Sequence, residues 1–413
     1  MPAYPNERHN EVTAAVWIET AWLDLTRPNP CATDPATWTR LNLEFQRKDA
    51  EFWEGLKRQG LFDRKPLDDF WHRYGQPRVV REAHEAKPPE PRGNWPGWYE
   101  PRDMIPIALG ADEPRWMGGS WWHDRDRRAL DRVSCASDVT RISVPEWHRL
   151  PIVERMLESR RRWQEAHPDE PPSGFGLTYD LTVPGRAPAQ SVNYPSFVDL
   201  GAFLVGLTRF FTILGGEPEV GDALMDKFFE LSTSYTDFLL SLKPERFDAL
   251  CGFGGDATCL LSPRLYERYG AAWDARLFEH VRGTHGVPPD LPCNFHSCGP
   301  SAHLYGLWGR HPCRDNITTV QTRLLPGKVR GVREAFPRAQ LELTIHPQHF
   351  DALRASASEL RDLLLSSARD AGLRDVHLIV FMSARRPEDL KMAGPNVRAC
   401  AEAMEALRGT TES

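Results

Sequence analysis

Residues 291–299, LPCNFHSCG, place an imidazole and a thiol two positions apart in a run with the composition of a strand. Side chains alternate between the two faces of a strand, so Asn294, His296 and Cys298 share one face and Leu291, Cys293 and Phe295 the other. Imidazole nitrogen and thiolate sulfur are both zinc ligands, and Gly299 permits a tight turn just beyond them. An H-x-C triplet is common in itself, so its meaning depends on what the rest of the chain brings beside it.

Two other strand ends offer partners. FDALCGFGG (247–255) runs into Asp256, and its parity sets Cys251 with Phe247 and Phe253 as a core residue. Asp256 follows small residues, Gly252 and Gly254, that leave space beside a substrate. In QLELTIHP (340–347) Leu341, Leu343 and Ile345 form the greasy face, while Glu342, Thr344 and His346 form the other. The carboxyl ends of parallel barrel strands are where enzymes of that architecture keep their chemistry.

The elements that must position these side chains follow from periodicity. Residues 1–98 are expected to form a helical extension, with helices over Ala14–Leu25 and Trp38–Leu61, closed by the proline-rich covering loop Lys87–Gly97. Strands are then predicted at Met104–Gly110, Gly174–Leu181, Phe247–Gly255, Leu291–Gly299, Asp315–Gln321, Gln340–His346 and Asp375–Met382, with an eighth near Ala189–Tyr194. Helical segments lie between them: Leu150–His167, Ser196–Leu207 with Ser196 and Asp199 at its start, Glu219–Leu240, Ser262–Val281 and Ser356–Ala371. Strands and helices in this alternation imply a parallel sheet, and seven or eight units imply closure into a (β/α)8 TIM barrel over residues 99–408.

Composition narrows the function classes. A hydrophobic share of 41% supports a sizeable core, and a formal charge of -6 gives no general attraction for nucleic acid or an anionic membrane. Eight cysteines without C-x-x-C pairs suit a reducing compartment, and neither a signal peptide nor a membrane-spanning run is visible, so a cytoplasmic protein is expected.

Four segments together resemble the uroporphyrinogen decarboxylase-like superfamily: the Met104–Gly110 run with Met117-Gly118-Gly119, the Leu214–Glu219 stretch, GGDATCLLSPRLYERYGAAW (254–273) and FHSCGP (295–300). The resemblance covers about residues 99–408 and implies a (β/α)8 barrel with its site at the C-terminal face. No arginine-rich N-terminal segment of the decarboxylases is present, and the chain is more similar to the zinc-dependent, cobalamin-related methyltransferase branch. That likeness implies zinc held by His296 and Cys298. The branch takes its third ligand from a cysteine after the last strand, where this chain has Phe381–Arg386 and no cysteine. His346 or Asp256 completes the set, or the metal is absent.

The chemistry expected is transfer of a methyl or other alkyl group to a thiol activated by zinc, with Asp256 and His346 as catalytic groups. Arg385, Arg386 and Trp121 are the candidate substrate-binding residues, Trp121 within a tryptophan-rich lid. Expected partners are a small-molecule substrate and a corrinoid protein or thiol acceptor. Two alternatives remain: a metal-independent decarboxylase or lyase using Asp256 and His346 as an acid/base pair, and a non-catalytic corrinoid- or thiol-binding protein.

Overall fold

The computed structural model describes residues 12–20, 35–75, 101–110, 130, 132–166, 190–193, 196–241, 247–285, 289–290 and 292–411. Among the described residues seven strands form one sheet: β1 Val12–Thr20, β2 Gln190–Asn193, β3 Phe247–Gly254, β4 Cys293–Ser297, β5 Ile317–Arg323, β6 Gln340–Ile345 and β7 Val376–Ala384. Their order is β1-β7-β6-β5-β4-β3-β2, and every pairing is parallel. From β2 to β7 each strand lies beside its successor, which parallel strands achieve only through crossovers over one face.

Helices connect the strands and follow the last of them. In chain order they include α1 Pro35–Arg58, α2 Lys65–Tyr74, α3 Pro101–Ala108, α4 Pro151–Ala166, α5 Phe197–Val205, α6 Leu207–Gly216, α7 Pro218–Ser241, α8 Ala272–His285, α9 Val329–Ala335, α10 Ala357–Asp370 and α11 Ala393–Thr411. Side-chain caps fix where several begin. Ser356 and Glu359 close a capping box on α10, and Ser262 caps the turn at Pro263 that leads toward α8. Gly206, at φ 89°, separates α5 from α6.

The helix-covered face of the sheet holds the core. Phe295 of β4 packs against Trp308 at 4.9 Å and Phe336 at 5.5 Å between ring centroids, and Leu341, Leu343 and Ile345 of β6 are buried beneath the helices. The opposite face carries His296, Gln321, Glu342 and His377, which are only half-buried.

Two expected elements change type. The helix expected over Ala14–Leu25 is a strand over its described part: Val12–Thr20 is paired along its whole length with β7, so the sheet extends across the boundary expected near residue 98. Its β-branched Val12, Thr13, Val16 and Ile18 suit a strand covered on both sides, where apolar residues run almost continuously. Met104–Gly110, read as the opening strand, lies in and just after α3. Pro101 starts that helix where a missing N–H costs nothing, and Met104 and Ile105 are buried. The strand near Ala189–Tyr194 is present as β2, and β5 begins two residues later than expected because Arg314–Asn316 forms a 3-10 turn. The strand expected at Gly174–Leu181 and the covering loop Lys87–Gly97 lie outside the described residues. None of the described helices is by itself long and apolar enough to cross a membrane.

Candidate metal centre

Two glycines bring Asp256 over the end of β4. Gly254 and Gly255 have φ of 82° and 135°, conformations that residues with a Cβ rarely adopt. A Cβ on Gly254 would lie 2.4 Å from the His296 carbonyl oxygen, and one on Gly255 would lie 2.4 Å from Ser196 Cβ. Gly255 N–H donates to that His296 carbonyl at 2.6 Å, tying the turn to β4. Asp199 at the start of α5 then accepts from the backbone N–H of Asp256 (3.0 Å) and of Ala257 (2.7 Å), one on each carboxylate oxygen. The acidic residue three positions after Ser196 therefore clamps a distant loop, while Ser196 Oγ caps α5.

The result is a compact set of three donors. Asp256 Oδ1 lies 2.8 Å from His296 Nε2 and accepts from the Cys298 backbone N–H at 3.2 Å, while Cys298 Sγ lies 3.0 Å from His296 Nε2. One oxygen, one nitrogen and one sulfur all fall within 4.8 Å of one another. The His296 side chain is 34% exposed and that of Asp256 18%, so the group can be reached by a ligand. Behind it, Cys259 Sγ donates to the Asp256 carbonyl at 3.1 Å and packs so tightly on Gly299 that a Cβ there would lie 2.0 Å from the sulfur.

Burial and neighbouring charge divide the protons within the group. Burial raises the Asp256 carboxyl, but the His296 hydrogen bond and charge outweigh it and hold Asp256 below its ordinary range. Burial likewise disfavours an imidazolium, but hydrogen bonds to Asp256 and Cys298 lift His296 well above its usual value. Burial raises the Cys298 thiol against the pull of His296. Asp199 is pushed up to about 7 by burial and the adjacent Asp256 charge, and Cys259 up to about 11 by burial and the same charge. These directions favour a charged Asp256–His296 pair and a protonated Cys298.

Asp256 joins His296 and Cys298, and His346 does not. His296 pairs in register with Gln321, and Gln321 with Glu342. His346 lies four residues beyond Glu342, about 13 Å along the strand direction at the usual rise. Its ring instead neighbours Phe381 at 6.0 Å, and its Nδ1 accepts from Gln348 N–H at 3.4 Å. Arg385 and Arg386 follow β7 and are exposed. The Arg385 backbone N–H donates to Asp389 at 2.9 Å, and the Arg386 guanidinium pairs with the same carboxylate at 3.5 Å. Trp121 and the loop around it lie outside the described residues, as does the side chain of Cys251.

Three further residues bear on the site without having been singled out for it. The clamp by Asp199 spans 57 positions and leaves no local pattern beyond its capping spacing. Cys259 is one unremarkable cysteine until Gly299 is packed on it. Glu342, identified only as inward-facing, accepts from Gln321 Nε2 at 3.1 Å; burial raises its carboxyl, and the His296 charge works against that rise.

No family model matches the chain, and no curated protein matches it. Among solved structures it is similar to a methyltransferase from Methanosarcina mazei, at 14% identity and a TM-score of 0.39, over 64% of this chain and 69% of that one.

Proposed function

We propose that the protein is a metal-dependent methyl or alkyl transferase, with zinc held by Asp256, His296 and Cys298 at the C-terminal ends of β3 and β4 in a (β/α)8 barrel. The observation that carries this reading is the convergence of an oxygen, a nitrogen and a sulfur donor within 4.8 Å. The donors fit a tetrahedral ion. Bonds of about 2.0–2.3 Å set ligand atoms roughly 3.3–3.7 Å apart, so the 2.8 and 3.0 Å separations need to open by less than about 1 Å. The sheet order supports the barrel, because β2 to β7 follow one another and β1 returns beside β7, as in a cyclic arrangement.

When bound, zinc would supply a Lewis acid that favours the deprotonated form of a thiol substrate. The substrate thiol would release its proton to solvent, and its sulfur would form a bond to the methyl carbon of the donor. The old bond to that carbon breaks, and its electron pair leaves with the donor group. Asp199 holds Asp256 in place through two amide hydrogen bonds, so the carboxylate is pre-positioned before any ligand arrives. His296 and Cys298 would hold the ion as neutral imidazole and thiolate, releasing their protons to solvent, since only those forms are ligands. A corrinoid-bound methyl group is the donor class this reading favours, with a small thiol as acceptor.

Elemental analysis tests the assignment. Wild-type protein is expected to retain about one zinc per chain, and His296→Ala, Cys298→Ser and Asp256→Ala to lose it. Wild-type protein that transfers methyl groups while free of metal overturns it. The 2.8 Å Asp256–His296 contact also favours a second reading, a metal-independent lyase using that pair as acid and base. Full activity in the presence of a strong chelator distinguishes the lyase from the transferase.

A further inference from the structure

Arg323 is the last residue of β5 and nine-tenths buried, yet among the described residues no carboxylate pairs with it. Its Nη1 donates to two neutral acceptors, Gln348 Oε1 at 3.2 Å and His349 Nε2 at 2.7 Å. Burial and the Arg323 charge both push the His349 imidazole down, which keeps it the neutral acceptor this contact requires. The remaining edge of the guanidinium, Nε and Nη2, makes no hydrogen bond among the described residues, and Nε is sealed from solvent. A buried cation with one planar donor edge fixed and the other open is incompletely satisfied, because burying a charge is costly unless it is paired.

Strand register places that open edge. Gln321 pairs with His296, and Arg323 stands one pleat beyond Gln321 on the same face, as Cys298 stands one pleat beyond His296. Arg323 therefore projects from the neighbouring strand at the level of Cys298, about 5 Å away in the hydrogen-bonding direction. Its charge also reaches Cys259, which packs on the Gly299 turn.

We propose that Arg323 is the anchor for an oxyanion carried by the substrate, a carboxylate or sulfonate held through Nη2, with the reacting atom of the same molecule at Asp256, His296 and Cys298. A guanidinium N–H donating to an oxygen of such a group makes a charge-assisted hydrogen bond. Gln348 and His349 are positioning residues that hold the guanidinium through its other edge. The placement of the reacting atom rests on the transferase reading, whereas the capture of the anion does not.

Calorimetric titration separates the two. The probes are 3-mercaptopropionate, its neutral amide 3-mercaptopropanamide, and the thiol-free anions propionate and propane-1-sulfonate, each with chelator-treated wild type, Arg323→Lys and Arg323→Gln. Wild type is expected to bind 3-mercaptopropionate at least about tenfold more tightly than the amide, the discrimination that a charge-assisted hydrogen bond gives. Arg323→Gln abolishes the preference while binding the amide as wild type does, which also shows that the variant is folded. Arg323→Lys keeps a reduced preference. The tighter of propionate and propane-1-sulfonate identifies the anion. Equal binding of acid and amide by wild type, a preference that survives in Arg323→Gln, or no binding of either thiol-free anion overturns the assignment. Intact anion binding in a protein that never takes up zinc leaves Arg323 as the anchor and removes the transferase reading instead.

Discussion

His377 offers a measurement of how deeply the face of β7 beside β1 is buried. It sits on the half-buried face of β7, in register with Thr13, whose hydroxyl is 2.8 Å from its Nδ1. Burial pushes the imidazole from 6.5 down to about 4, so the folded protein keeps it neutral where the unfolded chain takes up a proton. A depressed folded pKa means the stability contribution is complete above pH 6.5 and is lost progressively as pH falls toward 4. Each pH unit in that window is worth about 1.4 kcal/mol, so roughly 2 kcal/mol is gone by pH 5 and roughly 3 kcal/mol once both states are protonated. Urea unfolding of wild type and His377→Gln at pH 7.5 and pH 5.0 isolates this term, because the other titrating groups are common to both. Wild type is expected to lose about 2 kcal/mol more than the variant over that interval. Equal losses would show that His377 is solvated in the folded protein and that the face of β7 beside Thr13 is open.

Substitutions at two further positions probe the support of the site and the packing of α11. Asp199→Asn replaces one carboxylate oxygen with an NH2 group facing a backbone N–H, so unfolding free energy is expected to fall by about 1–3 kcal/mol. Zinc affinity, measured by competition with a chromophoric chelator, should fall with it, and an unchanged affinity would mean that Asp199 does not hold Asp256. Asn396, buried in α11, donates from Nδ2 to the carbonyls of Ala352, Leu353 and Ala355 at 2.7, 3.0 and 3.2 Å. Asn396→Asp sets a carboxylate against three carbonyl oxygens and is expected to destabilise more than Asn396→Ala, which costs about 1–3 kcal/mol. The order of the two thermal midpoints is the check.

Legibility in the sequence followed the length over which each constraint acts. Parity along LPCNFHSCG assigned His296 and Cys298 to one face, and the burial of alternate residues in β4 agrees. The same rule placed Asp256 at a strand end and turned Glu342, Thr344 and His346 inward, because alternation is set by the backbone alone. The type of a short apolar run is a different matter. The described part of Ala14–Leu25 is a strand and Met104–Ala108 is helical, the reverse of what was expected, since neither run alternates cleanly and tertiary contacts decide between helix and strand. Asp199 could be seen as a helix-start residue, but its two bonds to residues 256 and 257 exist only once α5 is laid against the end of β3.

Parity also explains why the donor set closes on Asp256 and not on His346. Alternation says which face a residue occupies and nothing about its height, which is fixed by hydrogen-bonded register between strands. The line Thr13, His377, Glu342, Gln321, His296, Gly254 crosses six strands at one level through successive pairings. His346 belongs two pleats above that line, beside Phe381, and Arg323 one pleat above it, level with Cys298. The residue that reaches the line from outside the regular sheet is Asp256, because Gly254 and Gly255 fold the chain back across the end of β4 as it leaves β3. The convergence of the three donors at this level is therefore a consequence of the glycine turn as much as of the donors themselves. Any residue with a Cβ at position 255 would meet Ser196 and Asp199 and push Asp256 away from His296 before altering a single donor.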